Sequence, residues 1–584
     1  MQLPKMRILH ICLLLFLAAA AGRSQPPISP SAGPKHEVRA VWITTLLGLD
    51  WPKSLDTAEQ KRSLERMVRE LSLARYNTIY FQVRGRADAM YRSLFEPWSE
   101  QLTGTLGKDP GWDPLEWMIR EAHDNGIEVH AWFNTFLVRG AKERRRDAAQ
   151  LHVVDRHPEW VREVNGEWWL DPGIPAVREY LLQVGLDIAR NYDIDGFQFD
   201  FIRYPAAPFP DEGSYRRYGA AQEKGDWRRG NVTRLLAAFH DSLRALKPYL
   251  KLGATPLGIY RNSGRVRGLQ SYDEVYQDSR GWLSKGIIDY LAPQIYWALG
   301  DRPANPDFAL LAKEWSDHAY GRQIILGIGA YKPEVADELG RIIDVARAAG
   351  AAGHAFFRYS NVAGLDAISG RYRLPANVPP MAWKDARPPA PPAGFRLVRL
   401  EGGVVRLSWQ GFAPAAERDG PVRVNVYRSE GSKVNSEDPA QLLAVATLAA
   451  GQFTDSSARG GRFTYAISFL DRGNNESALG LELKTSSPEI LALAAKAAAR
   501  FSLGRASPAP GEHILYVPYE VGASTPVAIT IVDERLSRVR SVVDDILDPG
   551  RYVAAAEIGS FKKGRYTLVM EAGSYRSERR FELE

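Results

Sequence analysis

From His36 to about Arg373, short runs rich in β-branched and aromatic residues alternate with longer stretches whose apolar residues recur at helical spacing. The strand-like runs are Val38–Thr44, Thr78–Val83, Ile127–Phe133, Gly196–Ile202, Leu252–Leu257, Tyr290–Ile295, Ile324–Ala330 and His354–Tyr359. Between them, Leu64–Leu73, Pro114–Asn125, Pro175–Asn191, Val232–Tyr249 and Val335–Ala349 carry helical apolar stripes. Alternation of this kind implies parallel strands joined by crossover helices. Eight such units in about 340 residues predict an α/β fold, a (β/α)8 TIM barrel over 36–374 with enlarged loops. A doubly wound open sheet is the rival, but no glycine-rich phosphate loop follows the first strand.

The pattern changes at the proline-rich stretch 375–392, which cannot form a helix and reads as a stiff interdomain spacer. Beyond it, 393–485 has strands alternating with turn residues. Trp409, Val426-Tyr427 and Tyr465-Ala466-Ile467 fall where the inner positions of a fibronectin type III-like β-sandwich would. Residues 486–503 read as a connecting helix, with Ser487 as cap and Pro488 in its first turn. The final 504–584 are β-rich again and look like an immunoglobulin-like module, so two small β-sandwich domains are expected after the barrel. At the other end, Lys5 and Arg7 precede an apolar run from Ile8 to Ala21, closed by Ala19-Ala20-Ala21-Gly22. That makes 1–21 a secretory signal peptide and the protein an exported one, in the periplasm, the envelope or the medium of a bacterium. The apolar run is too short to be preferred as a membrane span, and no transmembrane segment is expected after cleavage.

Composition narrows the class. The 584 residues are 45% hydrophobic and 25% charged, which suits a globular protein and excludes a disordered or collagenous one. A net charge of +6 is spread thinly, and no basic run is dense enough for a nucleic-acid partner. The single cysteine, Cys12, lies in the signal segment, so thiol nucleophiles, disulfides and zinc–cysteine sites are out. Fifteen Trp and twenty-five Tyr supply many flat rings, the faces on which sugars stack.

In such a barrel the functional side chains sit at the carboxyl ends of the strands. The fourth strand is the most informative. Alternation puts Phe197, Phe199 and Phe201 on one face and Gln198 with Asp200 on the other, inside the barrel near its top. A carboxylate there is costly unless paired or wetted. Arg203 offers a structural explanation, a buried ion pair, while the functional one makes Asp200 catalytic. The other strand ends contribute Trp42, Gln82, Arg84, His130, Trp132, Asn134, Gln294, Tyr296, Trp297, Tyr331 and Tyr359, with Arg203 and Tyr204 just past strand four. Rings for C–H faces and forked polar groups for hydroxyls are what a polysaccharide requires. Glycosidic cleavage commonly uses two carboxyl groups. Asp88, after strand two, is the first choice for the second and Asp278 the reserve. His130 and Asp200 have no evident third ligand, so no metal and no cofactor are implied.

The barrel motifs also resemble a known family. Glu37-Val38-Arg39-Ala40-Val41-Trp42, Phe81-Gln82-Val83-Arg84 with Ala87-Asp88-Ala89-Met90-Tyr91, Glu96-Pro97-Trp98-Ser99, and His130-Ala131-Trp132-Phe133-Asn134 are similar to stretches of the family-10-like glycosyl hydrolases. So are Asp195-Gly196-Phe197-Gln198-Phe199-Asp200, Arg203-Tyr204-Pro205, and Ile288-Asp289-Tyr290-Leu291-Ala292-Pro293-Gln294-Ile295-Tyr296-Trp297, in order through 37–360. The resemblance implies a barrel hydrolase of glycosidic bonds, and a branch of that family cleaves peptidoglycan glycan strands stripped of stem peptides. It carries one departure. Many relatives have two successive aspartates at the end of strand four, whereas here Asp200 precedes Phe201. If the missing one were essential, the protein would be a glycan-binding scaffold of the envelope rather than an enzyme. A metal-dependent deacetylase is a third, poorer reading.

Overall fold

A computed structural model describes residues 33–583 apart from 141–151, 207, 265, 301–305, 365, 393–394, 400–402, 410–421, 487–499, 509–512, 524 and 548–549. The signal segment 1–21 and most of the expected connecting helix lie outside the described residues. What is described of that helix's far end includes a short strand, Ser502–Leu503.

Eight parallel strands close into a barrel: β1 Val38–Ile43, β2 Thr78–Arg84, β3 Glu128–Asn134, β4 Gly196–Asp200, β5 Lys251–Ala254, β6 Tyr290–Leu291 with Gln294–Ile295, β7 Gln323–Ile328 and β8 Gly353–Phe356. Each pairs with the next, and β8 pairs back onto β1. The strand β6 is split where the sequence suggests one run, because Pro293 has no N–H to give a ladder. Strand β4 stops at Asp200 instead of Ile202, since Phe201 turns into the left-handed region at φ 48°.

The outer helices form where apolar stripes meet good caps. In α1, Thr57–Leu73, the Asp56 carboxylate accepts from the Glu59 N–H, and in α2, Pro114–Asp124, Asp113 does the same for Leu115 and Glu116. Helices α3, Pro175–Asn191, and α4, Lys224–Leu246, cover the far side of β4. There Phe197 stacks on Phe199 and both meet Phe239 of α4, which fixes Gln198 and Asp200 on the inner face.

The barrel interior is filled by rings from one strand lying over glycines of another. A Cβ on Gly253 would stand 2.0 Å from the Tyr290 ring, and one on Gly196 would stand 2.9 Å from His130. No other residue fits either position. The lower end is closed by the start of the proline-rich stretch. Val378 and Met381 join Val38, Ala40 and Ile325 in one buried cluster, and the carbonyls of Pro379 and Pro380 accept from the Gln323 amide. This half of 375–392 is therefore a plug rather than a spacer. Proline rules out a helix but leaves the carbonyls and the neighbouring apolar side chains free to pack.

Two β modules follow. The first sets a three-stranded sheet, Phe395–Arg399, Val405–Trp409 and Gln452–Asp455, against a four-stranded one built on Arg423–Ser429 and Thr464–Leu470. Its core gathers Leu407, Trp409, Val426, Tyr465 and Ile467. The second is built on two sheets centred on Ile514–Val521 and Thr525–Val532. The first module docks on the amino-terminal end of the barrel. Arg423 and Asn474 both donate to Glu128 of β3, and Arg472 pairs with Asp193 before β4. The module thus lies at the end opposite the strand carboxyl termini. No helix among the described residues is long and apolar enough to cross a membrane.

Candidate active site

Asp200 closes β4 with its carboxyl inside the barrel mouth, 8% exposed. Burial pushes its pKa up to about 6, and the Phe201 N–H, donating at 2.7 Å, and the Arg203 charge only partly oppose that. The Gln294 amide reaches one carboxyl oxygen at 3.4 Å. Arg203 makes no tight pair with it. Its guanidinium donates to the Tyr204 carbonyl and lies over the rings of Trp169 and Phe201, so it acts on Asp200 only through space. Phe201 packs its ring against Trp169 and lies under the Arg203 guanidinium.

Around Asp200 the rings form a continuous surface. Phe357, just beyond β8, is its hub, with centroids 6.1 Å from Trp42, 6.2 Å from Trp132, 5.7 Å from Tyr296 and 6.0 Å from Tyr331. Tyr331 stands perpendicular to Tyr296 and is 48% exposed, the outermost ring. The Tyr296 phenol is held protonated by burial and by the Asp200 charge beside it. Trp297 is half-buried and packs over Gly258. The alternation of Ala355 and Phe357 on the last strand points Phe357 inward, whereas the more polar Tyr359 turns to Glu70.

The structure gathers Trp42, Trp132, Gln198, Gln294, Tyr296 and Tyr331 about Asp200 and takes several other candidates elsewhere. His130 lies lower in the barrel, with Nδ1 2.7 Å from the Tyr290 hydroxyl and Nε2 3.4 Å from Glu128. It shares a face with Trp132 and Asn134, but alternation does not report depth. Arg84 is fully buried and pairs with Glu96, because a register shift after Gln82 sets it opposite Phe133 instead of Asn134. It also donates to the carbonyls of Asn134 and Thr135. Gln82 uses its side-chain oxygen to accept from the Thr45 and Leu46 N–H groups, shaping the loop after β1. Asn134 stays beside Asp200, its partner in register, and uses its amide N–H to donate to the Gly85 carbonyl. Tyr204 is sealed between Phe209 and Tyr276 and takes a hydrogen bond from Asn231. Tyr359 faces the helix ring, its hydroxyl donating to Glu70 of α1 at 2.5 Å. These residues build the site's frame.

Asp88 does not meet Asp200. Its Oδ1 accepts from the Arg86 N–H at 2.8 Å, and it lines a cavity of about 60 Å3 with Thr45, Gln101, Arg139, His152 and Asp155, whose walls do not include Asp200. Asp278 caps a short helix through the Gly281 N–H and accepts from the Tyr260 hydroxyl. Among the described residues no three His, Cys, Asp or Glu side chains are placed to hold a metal ion.

The chain is 33% identical over 491 residues to "Glycosyl hydrolase YngK" of Bacillus subtilis (strain 168), covering 77% of this chain and 94% of that protein. It is 34% identical over 363 residues to "Glycosyl hydrolase DigH" of Escherichia coli (strain K12), covering 55% of this chain and 82% of that one. Among solved structures, the catalytic domain of β-amylase from Paenibacillus polymyxa aligns over 58% of this chain and 98% of its own, at 11% identity and a TM-score of 0.40. A closed parallel barrel, a carboxylic acid at the mouth and these relatives define a glycoside hydrolase. Residues 37–360 match the sequence profile described as "Glycosyl hydrolase-like 10", and the chain belongs to that family.

Proposed function

We propose that this hydrolase is exported and cleaves glycosidic bonds of a cell-envelope polysaccharide, with peptidoglycan glycan strands as its substrate and Asp200 as the proton donor. The observation that carries the reading is the Asp200 carboxyl at the mouth, kept protonated toward neutrality by burial and bordered by rings on which sugars stack. The leader-like residues 1–21 support export, and the resemblance to glycan-strand hydrolases supports the substrate. Bulky stem peptides would have to clear the rim at Tyr331, which favours strands without them. Incubation with peptide-free and peptide-bearing glycan strands, with mass spectrometry of the soluble products, tests this. Short saccharides are expected from the peptide-free strands. Intact strands in both digests would refute the assignment.

The outermost ring should affect binding more than chemistry. Tyr331→Ala removes an exposed platform and leaves Asp200 and Tyr296 in place. It is expected to raise KM about tenfold, the loss of one stacking contact, with kcat changed less than twofold. Equal falls in kcat and kcat/KM would place Tyr331 in the transition state instead.

A further inference from the structure

Four described groups lie about the Asp200 carboxyl, and none is a second carboxylate: the Gln294 amide, the Trp132 indole, the Tyr296 phenol and the Arg203 guanidinium. Among the described residues, four carboxylates on the loops after the neighbouring strands are already engaged. Asp50 holds Arg358 and the Thr44 N–H, Glu96 holds Arg84, Asp171 holds Arg162 and Ser214, and Asp211 holds Arg228. Each such bond anchors a loop, and breaking it to reach a sugar would leave a buried cation uncompensated.

The layer under Asp200 contains unsatisfied groups of a particular kind. Trp132 and Gln198 sit opposite each other in register, one step below Asn134 and Asp200. The Trp132 indole N–H is directed at the Asp200 carboxyl, while the Gln198 Nε2 is a buried donor and the Asn134 Oδ1 a buried acceptor without a hydrogen-bond partner. Gln198 uses only its oxygen, accepting from the Trp42 indole at 3.5 Å. Buried polar atoms left this way are satisfied by water or by a ligand. One donor and one acceptor beside the rings of Trp42, Trp132 and Phe357 complement a secondary amide carrying a methyl group. Its oxygen accepts from Gln198, its N–H donates to Asn134, and the methyl meets the rings.

Resting on the reading above, we propose that the site takes 2-acetamido-2-deoxy sugars and that the substrate's own acetamido oxygen is the nucleophile. Asp200 gives its proton to the glycosidic oxygen as that oxygen leaves C1 with the bonding electron pair. The acetamido carbonyl oxygen forms the new bond to C1 from the opposite face, giving a cyclic oxazolinium ion. Water then attacks C1 and the C1–acetamido bond opens. The water's proton passes to the Asp200 carboxylate, restoring the acid. Two displacements leave the configuration at C1 retained, and a single protein carboxyl suffices.

The test uses the whole chain and peptide-free glycan strands that have been N-deacetylated and then re-acylated with either acetyl or difluoroacetyl groups. Fluorine withdraws electrons from the carbonyl oxygen with little change in size. Difluoroacetyl strands are expected to be cut at least about 100-fold more slowly, the fall appearing in kcat rather than KM. Equal rates on the two strands, or a glycosyl ester trapped on any carboxylate of the chain, would overturn the mechanism while the hydrolase assignment stands. If re-acetylated strands are not cut at all, the substrate assignment and this inference fall together.

Discussion

Asp200→Asn is expected to lower kcat on peptide-free glycan strands by about 1,000-fold or more, within or above the range that a positioned general acid contributes. The amide is almost the same shape. It keeps the Phe201 N–H and Gln294 contacts within reach of an oxygen, and cannot deliver a proton. Two further readouts separate lost chemistry from lost fold. The wild-type carboxyl has its pKa raised to about 6, so the acid form is depleted as pH climbs through 6, and kcat/KM should fall on that limb. Its raised pKa has a second consequence for stability. A carboxyl whose folded pKa exceeds its unfolded one stabilises the fold fully below about 3.8 and loses that contribution as pH rises through about 6. At neutral pH the buried charge therefore costs up to about 3 kcal/mol, and the uncharged Asn variant should melt at or above the wild-type temperature. Normal glycan release by a folded variant would remove Asp200 from the reaction.

The barrel was readable because its code is redundant. Eight β-rich runs alternating with capped amphipathic helices specify parallel strands whichever residue is doubtful, and errors in strand ends do not change the topology. The exceptions are local. Pro293 splits β6 for want of an N–H, and Phe201 ends β4 by its backbone angle. The site was less legible, for two physical reasons. Alternation tells which face of a strand a residue takes but not how deep it sits, so His130 and Trp132 look equivalent although one packs beneath the other. Alternation also fails at a bulge, which is how Arg84 leaves the mouth for the outer layer. Asp200 was found because a carboxylate among phenylalanines contradicts a core. Phe357 was missed because a phenylalanine at a strand end contradicts nothing.

Glu128→Gln is expected to cost about 3–5 kcal/mol of stability, the penalty for leaving partners of a buried charge uncompensated. At the lower end of β3 the Glu128 carboxylate accepts from Lys251 at 2.6 Å on both oxygens, from Asn474 at 2.9 Å and from Arg423 at 3.2 Å, with His130 above it. Lys251 belongs to β5, while Arg423 and Asn474 belong to the first β module, so one carboxylate ties two walls of the barrel to the domain beneath it. These cations hold the Glu128 pKa well below the usual carboxylate value against the opposing effect of burial. A depressed folded pKa contributes stability that is present above about 4.5 and is lost as pH falls through the folded value, so the wild type should lose stability in acid and the Gln variant lose less. Denaturation of the two proteins at pH 7 and pH 4 reads both effects. The difference should be largest at pH 7, and kcat at a temperature where both are folded should be unchanged, because Glu128 lies at the opposite end of the barrel from Asp200. Pairing the change with Lys251→Met should recover part of the loss by removing the stranded cation. A denaturation midpoint at pH 7 that does not move would show that the module docks without this network.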